Sequence, residues 1–169
     1  RFGDEASREL FLDLLAYRII GPRHFRLPLD AQLHWARRKR AAAMAVAPSN
    51  IVGPFGPLGR FQVEFGGESI SLDAYAGNVA WTFLIGQYYF SRGATSIAPR
   101  AGDVVIDAGA CFADTALAFA ASVGSEGRVC AFEIDAGNLQ IARHNLAANP
   151  ALAPRIGLSQ LALGREAGT

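Results

Sequence analysis

Cysteine and methionine are scarce in this chain of 169 residues, which has two cysteines and one methionine. Two cysteines are too few for a disulfide framework or a four-ligand zinc site, and the spacing of Cys111 and Cys130 fits neither. We therefore expect a reducing compartment, the cytoplasm. Since the methionine is Met44 and not the first residue, we expect the sequence to be a piece of a longer protein.

Net charge is also small, because 16 basic and 15 acidic side chains leave a formal charge of +1. Such a balance creates no field that would gather nucleic acid or an anionic membrane. The basic run at residues 37–40 is interpreted as a solvated helix face. We therefore expect no nucleic acid and no membrane as a partner, and we leave a homo-oligomer open; the small-molecule partner we expect is implied by the family resemblance given below.

Long apolar runs are missing as well. The longest apolar stretch, residues 104–123, is interrupted by Asp107 and Asp114, so it does not supply the ~18–20 uninterrupted apolar residues that a membrane helix needs. The N-terminus is acidic where a signal peptide would have a basic and then an apolar region. A content of 51% hydrophobic and 18% charged residues suits a packed core, so the chain is predicted to be globular and not disordered.

The first 78 residues are predicted to form a helical extension with a β-hairpin. Apolar residues at helical spacing indicate a helix over residues 6–20, with Ser7 as its N-cap. A second helix is predicted from Asp30, a good N-cap, to Ala47. Neither helix carries a recognisable chemical pattern, so the extension offers no chemistry of its own.

Glycine and proline mark the turns that follow. Their concentration in residues 49–59 predicts a loop. Alternating apolar residues on both sides of Gly66-Gly67 predict a hairpin, because glycine tolerates the positive φ of a tight turn. The apolar stretch at residues 79–90 fits a helix or a buried strand, and of the two the helix is favoured.

Residues 79–169 have a different pattern, in which short apolar strands alternate with helices. Strands are predicted at residues 103–107, 128–133 and 155–161, with helices at 111–123 and 135–148 between them. Short loops between elements in this order predict a βαβαβ unit, half of a doubly wound, Rossmann-like α/β sheet. Ligands of such sheets bind beyond the carboxyl ends of the strands.

The ends of the first two of these strands carry the strongest chemical signal. Gly109 lets the backbone turn sharply towards a ligand, and the amides that follow it point from a helix N-terminus. Glu133 ends the second strand, at about the position where a carboxylate accepts hydrogen bonds from ribose hydroxyls. Together they predict a site for a nucleoside-bearing cofactor.

The loop residues discriminate between cofactors. A dinucleotide pyrophosphate needs a second glycine, where this chain has Cys111, and the third glycine position is Ala113. S-adenosylmethionine has no phosphate and needs one permissive glycine with an acid at the end of each strand. Asp107, Gly109 and Glu133 meet that need. S-adenosylmethionine is therefore favoured over NAD.

Three blocks of the sequence resemble the FkbM-type family of S-adenosylmethionine-dependent methyltransferases. They are residues 86–90, 102–120 and 129–150, which read GQYYF, GDVVIDAGACFADTALAFA and VCAFEIDAGNLQIARHNLAANP. The resemblance implies a class I methyltransferase fold and transfer of a methyl group to an acceptor oxygen, often on a sugar or a secondary metabolite. With the backbone amide of Cys111 added, the candidate cofactor-binding residues are Asp107, Gly109, Ala110, Cys111, Asp114, Thr115, Glu133 and Ile134.

Two departures from the family's pattern bear on this reading. Ala113 stands where the family usually has glycine, and it adds a methyl group at the start of the helix, where the cofactor's amino-acid end is expected. Three strands are also fewer than a complete methyltransferase sheet contains. We therefore expect this fragment to be inactive alone and to have an unpaired sheet edge.

No catalytic base or metal site can be assigned from the sequence. His24, His34 and His144 lie in no recognisable constellation, and His144 is interpreted as a solvent-exposed helix position. Tyr88 and Tyr89 are interpreted as core aromatics.

Two alternatives to a methyltransferase stay open: an NAD-dependent oxidoreductase on a similar half-fold, and a non-catalytic methyltransferase-like module whose sheet is completed by a partner.

Overall fold

The structure, a computed structural model, describes residues 2–27, 32–92 and 94–164. The chain divides into two compact units, Arg1–Arg37 and Arg38–Thr169. In the part of the chain that the structure describes, no helix has the length and apolarity needed to cross a bilayer. The predicted division between an extension at 1–78 and a methyltransferase half at 79–169 stays a prediction.

Helix α1 (Glu5–Ile20) is the main element of the first unit. Its N-cap is Asp4, whose Oδ1 accepts a hydrogen bond from the Ser7 backbone N–H at 2.9 Å, so the prediction of Ser7 as N-cap is wrong. A carboxylate here satisfies the exposed N–H of the third helical residue, and the Ser7 hydroxyl donates to the same side chain. Helix α1 ends at Ile20, as predicted, and its C-cap is Gly21, which has φ +88°.

Helix α2 (Gln32–Ala43) is shorter than the sequence predicted. The predicted N-cap, Asp30, lies outside the described residues. The predicted end at Ala47 is wrong, because the chain becomes extended from Ala45 onwards. Residues 38–40 of the basic run are exposed, in agreement with a solvated helix face.

Strands β1 (Ala45–Gly53) and β2 (Gly56–Phe65) form an antiparallel pair. They replace the loop predicted at residues 49–59, so that prediction is wrong. Proline and glycine are tolerated because β1 is an edge strand with an irregular register, in which several N–H groups need no partner in the sheet. The turn between the strands is held by the Phe55 N–H, which donates to the Tyr75 hydroxyl at 2.7 Å.

Strand β3 (Glu68–Ala74) completes this sheet in the order β1-β2-β3. The predicted hairpin is confirmed, because Phe65 pairs with Glu68 across Gly66 and Gly67, whose φ angles are +60° and +80°. Alternate residues of β2 and β3 point into the core. The buried ones include Phe61, Val63, Ile70 and Leu72.

The segment predicted as one helix at 79–90 has a more complex structure. A short helix, α3 (Ala76–Val79), continues into a π-helix at Ala80–Ile85, which ends at Gly86 with φ +64°. Two short strands that the sequence did not reveal, β4 (Phe90–Arg92) and β5 (Thr95–Ile97), then pair antiparallel.

The aromatic residues at the end of this segment pack against α4 (Asp114–Val123). The Tyr89 ring lies 5.4 Å from Phe65 and 6.3 Å from Phe119, and Tyr88 lies 5.6 Å from Phe119. The Tyr89 hydroxyl lies 2.9 Å from that of Ser122. Burial raises the pKa of Tyr89, and this hydrogen bond lowers it in part. Tyr89 packs against the core, in agreement with its interpretation as a core aromatic. Tyr88 is 54% exposed, so its interpretation as a core aromatic is wrong.

The predicted Rossmann-like βαβαβ half-sheet is confirmed. Its strands are β6 (Val104–Ala108), β7 (Arg128–Phe132) and β8 (Ile156–Ser159), connected by α4 and α5 (Ala136–Ala147). All three strands are parallel in the order β6-β7-β8. In the described ranges β6 pairs with β7 alone, so its other edge is unpaired.

The helices cover one face of the parallel sheet. Val129 and Ala131 of β7 are buried, whereas Cys130 between them is exposed. On β6 the side chains of Val104 and Ile106 are 69% and 66% exposed. The second face of the sheet is therefore apolar and exposed in this chain.

Two asparagines, Asn145 in the last turn of α5 and Asn149 just after that helix, join the antiparallel sheet to the parallel one. The Asn149 side chain accepts from the Ser71 N–H at 2.9 Å and donates to the Ser71 carbonyl at 2.6 Å. Asn145 makes the equivalent pair with Asp73, at 2.8 and 3.1 Å, and also donates to the Phe112 carbonyl at 2.9 Å. Each side-chain amide thus bonds the edge of β3 as a neighbouring strand would.

A charged cluster lies beside these asparagines. The buried Asp73 carboxylate accepts from Arg60 Nε at 3.1 Å and pairs with His144 Nε2 at 2.8 Å. His144 is exposed on α5, as interpreted from the sequence, but it also has this acidic partner, which the sequence did not reveal. The cluster ties β3 to α5 a second time.

We expect Asn145→Ala to lower the free energy of unfolding by about 3 kcal/mol or more, because it leaves three buried backbone groups without a partner at ~1–3 kcal/mol each. Urea denaturation followed by circular dichroism measures this difference. Gln140→Ala is the matched control, because Gln140 is an exposed residue of the same helix and its replacement is expected to change stability by ~0.5 kcal/mol or less. Equal stability of the two variants would contradict the structural role of Asn145.

Candidate functional site

The turn that follows β6 is built on Gly109. This residue has φ +94°, and a Cβ placed on it would meet no atom within 4 Å. Backbone conformation, and not lack of space, therefore requires glycine here. The N–H groups of Gly109 and Ala110 both donate to the Phe132 carbonyl, at 2.9 and 2.8 Å, so the turn is held against the end of β7.

Two non-glycine residues in the same loop have left-handed backbones. Cys111 has φ +47° and Ala113 has φ +64°. Such a conformation costs a residue with a Cβ about 1–2 kcal/mol, and strained positions of this kind concentrate at functional sites. The Ala113 side chain is fully buried in the core and does not project into an open site. The cost of having alanine here in place of glycine is therefore backbone strain.

Glu133 lies immediately after β7 and is 8% exposed. Its Oε2 accepts from the Cys111 N–H at 2.9 Å and from Asn138 Nδ2 at 3.4 Å, and its Oε1 accepts from the Asp135 N–H at 2.8 Å. A carboxylate offers about four acceptor positions, so capacity for a further donor is left. The structure thus brings the predicted strand-end acid into contact with the predicted loop.

Asp107 and Thr115 face each other beneath the loop. Thr115 Oγ1 donates to Asp107 Oδ2 at 2.6 Å, and both residues are buried. Burial raises the pKa of Asp107, and the hydrogen bond from Thr115 lowers it in part. This pair supports the loop from below.

Asp114 is the first residue of α4 and is 4% exposed. Its carboxylate accepts from Thr82 Oγ1 at 2.6 Å and from Asn78 Nδ2 at 3.3 Å. Burial raises the pKa of Asp114, the hydrogen bonds lower it in part, and the nearby Asp107 raises it further. Thr82 and Asn78 were missed by sequence reasoning, because they lie more than thirty residues upstream in a segment with no chemical pattern.

Two cavities adjoin these residues. One, of about 230 Å³, lies at the strand ends and is lined by Gly109, Glu133 and Ile134 together with Leu161 and Leu163. The other, of about 720 Å³, is lined by Asp114, Asn78 and Thr82 and by aromatic side chains. The candidate residues are therefore distributed over two neighbouring spaces, and their role as cofactor contacts stays a prediction.

Asp107, Asp114 and Glu133 make the site strongly acidic. Among the described residues, the hydrogen-bond donors to these three carboxylates are all neutral: backbone N–H groups, hydroxyls and amides. Burial, together with the charges of Asp114 and Glu133, raises the pKa of the Cys111 thiol to about 11. In the described ranges, no group of three or more His, Cys, Asp or Glu side chains is arranged to hold a metal ion.

No protein-family model matches the chain, and no curated protein matches it. A solved structure of a protein described as an rRNA-methylase from Clostridium thermocellum is similar, with 26% identity, a TM-score of 0.36, and coverage of 38% of this chain and 34% of that one. A protein described as an O-methyltransferase from Klebsiella pneumoniae has 14% identity and a TM-score of 0.31, and covers 92% and 52% of the two chains.

A third solved protein, cofactor-bound Rv0187 from MTB, also has 14% identity and a TM-score of 0.31, with coverage of 94% of this chain and 52% of that one. The chain thus spans between 34% and 52% of the length of these solved proteins. The narrower resemblance to the FkbM-type family stays a prediction.

We expect iodoacetamide to alkylate Cys130 at least about tenfold faster than Cys111 at about pH 8, because the thiolate is the reactive form. Cys130 is exposed, whereas a pKa of about 11 leaves Cys111 almost entirely protonated. Mass spectrometry of peptides taken over time measures both rates. Denatured protein is the control, in which both cysteines should react at similar rates, and similar rates in the folded protein would contradict the prediction.

Proposed function

We propose that this chain binds S-adenosylmethionine at the carboxyl ends of β6 and β7 and forms the cofactor-binding part of a methyltransferase that acts on an oxygen. The observation that carries the proposal is the acidic site formed by Asp107, Asp114 and Glu133 around a single left-handed glycine turn. S-adenosylmethionine carries a sulfonium, an ammonium and one carboxylate but no phosphate, so its net charge is positive and nearby carboxylates stabilise it. The same carboxylates would repel the anionic pyrophosphate of NAD.

The residues at the strand ends fit the parts of this cofactor. Glu133 has a carboxylate oxygen with remaining acceptor capacity for ribose hydroxyls, and Gly109 lets the backbone approach closely. Ile134, which is 61% exposed beside the same cavity, offers an apolar contact for the adenine. When bound, S-adenosylmethionine supplies an electrophilic methyl group. The contribution of this chain is to orient the cofactor.

The finer parts of the proposal rest on the sequence alone. A sugar or secondary-metabolite hydroxyl as the acceptor rests on the family resemblance. The cytoplasmic location rests on the scarcity of cysteine, and the absence of a nucleic-acid partner rests on the small net charge. Of the three similar solved proteins, two are described as a methylase or a methyltransferase.

One observation favours a second candidate, a non-catalytic interaction module. The edge of β6 is unpaired among the described residues, and Val104 and Ile106 are exposed on the open face of the sheet. A strand edge of this kind is a template for pairing with another chain. A folded protein that binds no adenosine compound would favour this candidate.

We expect Gly109→Val and Glu133→Ala each to weaken the binding of S-adenosylhomocysteine by about tenfold or more, the loss expected for a charged hydrogen bond or a distorted loop. Isothermal titration calorimetry measures the affinity. Gly102→Val is the matched control for the glycine, because Gly102 has φ +87° and open space around it but lies before β6, away from the strand ends. Glu126→Ala is the control for the acid.

The same titrations separate the alternatives. Wild-type affinity in both the Gly109 and the Glu133 variant would contradict the assigned site. Tighter binding of NADH than of S-adenosylhomocysteine would favour an oxidoreductase.

A further inference from the structure

A further cavity lies between strand β1 and helix α5, apart from the candidate cofactor site. Its volume is about 690 Å³, a size within the roughly 300–1,000 Å³ of small-molecule sites. Residues 50–54 form one wall, and Gly137, Gln140, Ile141 and His144, on one face of α5, form the other. The cavity shares no lining residue with the two cavities that adjoin the candidate cofactor site.

The wall on the β1 side is formed where the pairing of this strand with β2 is interrupted. The register shifts between Pro48 and Val52, and within this interval the Ile51 N–H donates to the Ser49 hydroxyl at 2.9 Å. An interruption of this kind bends a strand and redirects its side chains. Val52 is 71% exposed where it lines the cavity. Exposed apolar surface here favours a ligand with an apolar body.

The cavity offers hydrogen bonds without a formal charge. Among the described residues that line it, none is an aspartate, glutamate, lysine or arginine, and the polar side chains are Asn50, Gln140 and His144. Side-chain amides both donate and accept. A charged ligand would lose hydration here without gaining a counter-ion, so the lining favours an uncharged ligand.

His144 is held in one orientation by a buried acid. Its Nε2 lies 2.8 Å from Asp73 Oδ2, and Asp73 is 2% exposed. The carboxylate also accepts from Arg60 Nε at 3.1 Å, and Asn145 bonds the backbone of Asp73. Since a carboxylate only accepts, the hydrogen in the contact with His144 belongs to Nε2. In the neutral imidazole Nδ1 is then an acceptor, and in the described ranges no protein group donates to it.

We propose that this cavity is a second binding site, which takes an uncharged molecule with a hydroxyl group on an apolar body. The hydroxyl donates to His144 Nδ1, and the apolar body covers Val52 and Ile141. His144 lies about 12 Å further along α5 than Ala136, the first residue of this helix after the strand ends. The site is therefore separate from the one proposed for the cofactor.

A pair of matched probes tests the hydrogen bond. 4-Methylphenol has the donor hydroxyl, and 4-methylanisole is its methyl ether, which cannot donate. We expect His144→Phe to lower the ratio of the two affinities, phenol over ether, about three- to tenfold, the range for one hydrogen bond. Protein-observed NMR titration measures both affinities, and shifts at Val52 and Ile141 locate the probes. His24→Phe, at an exposed histidine of the other unit, is expected to leave the ratio unchanged.

A second variant tests the location without changing the contact with Asp73. We expect Val52→Trp to weaken the binding of both probes about tenfold or more, because the larger side chain fills the cavity. Val46→Trp is the matched control, because Val46 is a 61% exposed residue of the same strand that does not line the cavity. It is expected to bind both probes as the wild type does.

The outcomes decide the proposal even if one variant fails to fold. A lower ratio in His144→Phe together with weaker binding in Val52→Trp supports it. It is overturned if the folded His144 variant keeps the wild-type ratio, if Val52→Trp binds 4-methylphenol as the wild type does, or if the wild type does not bind this probe. Tighter binding of 4-methylbenzoate than of 4-methylphenol also overturns it. If His144→Phe does not fold, Val52→Trp decides.

The second site does not depend on the proposed function. Both variants are expected to bind S-adenosylhomocysteine as the wild type does, because neither residue lines a cavity at the candidate cofactor site. Failure of the wild type to bind S-adenosylhomocysteine would overturn the proposed function and leave the phenol titrations to decide the second site.

Discussion

The buried side-chain amide of Asn145 is the contact on which the geometry of the site depends. It bonds both backbone groups of Asp73 at the edge of β3 and the carbonyl of Phe112 in the loop that follows β6. Phe112 lies between Cys111 and Ala113, the two residues held in left-handed conformations. One polar residue thus fixes the antiparallel sheet, α5 and the strained loop relative to one another.

The second organising feature is uncompensated negative charge. A site that excluded water and held three carboxylates would be unstable if the carboxylates had no donors, and the neutral N–H, hydroxyl and amide groups around them meet that requirement. Neutral donors leave the net charge unchanged. The protein therefore maintains an electrostatic preference for cations close to a helix N-terminus, a place where the backbone alone would favour anions.

The parallel half-sheet could be predicted because its signals are local. Short apolar runs that end in Asp107 or near Glu133 and a glycine after the first strand define it without knowledge of distant contacts. Strand β1 could not be predicted, because its prolines and glycines resemble a loop and only pairing with β2 makes it a strand. The same reason applies to Thr82 and Asn78, which become part of the site only through tertiary packing.

The hydrogen bond between the Cys111 N–H and Glu133 Oε2 has a thermodynamic consequence. A ligand hydroxyl that donates to this carboxylate shares it with the Cys111 N–H. The hydrogen bond that orders the loop and the hydrogen bond to the ligand therefore have the same acceptor. Two equilibria that share a group are linked, and linkage is reciprocal. Whatever stabilises the left-handed turn therefore changes ligand affinity, and a bound ligand changes the stability of the turn by the same free energy.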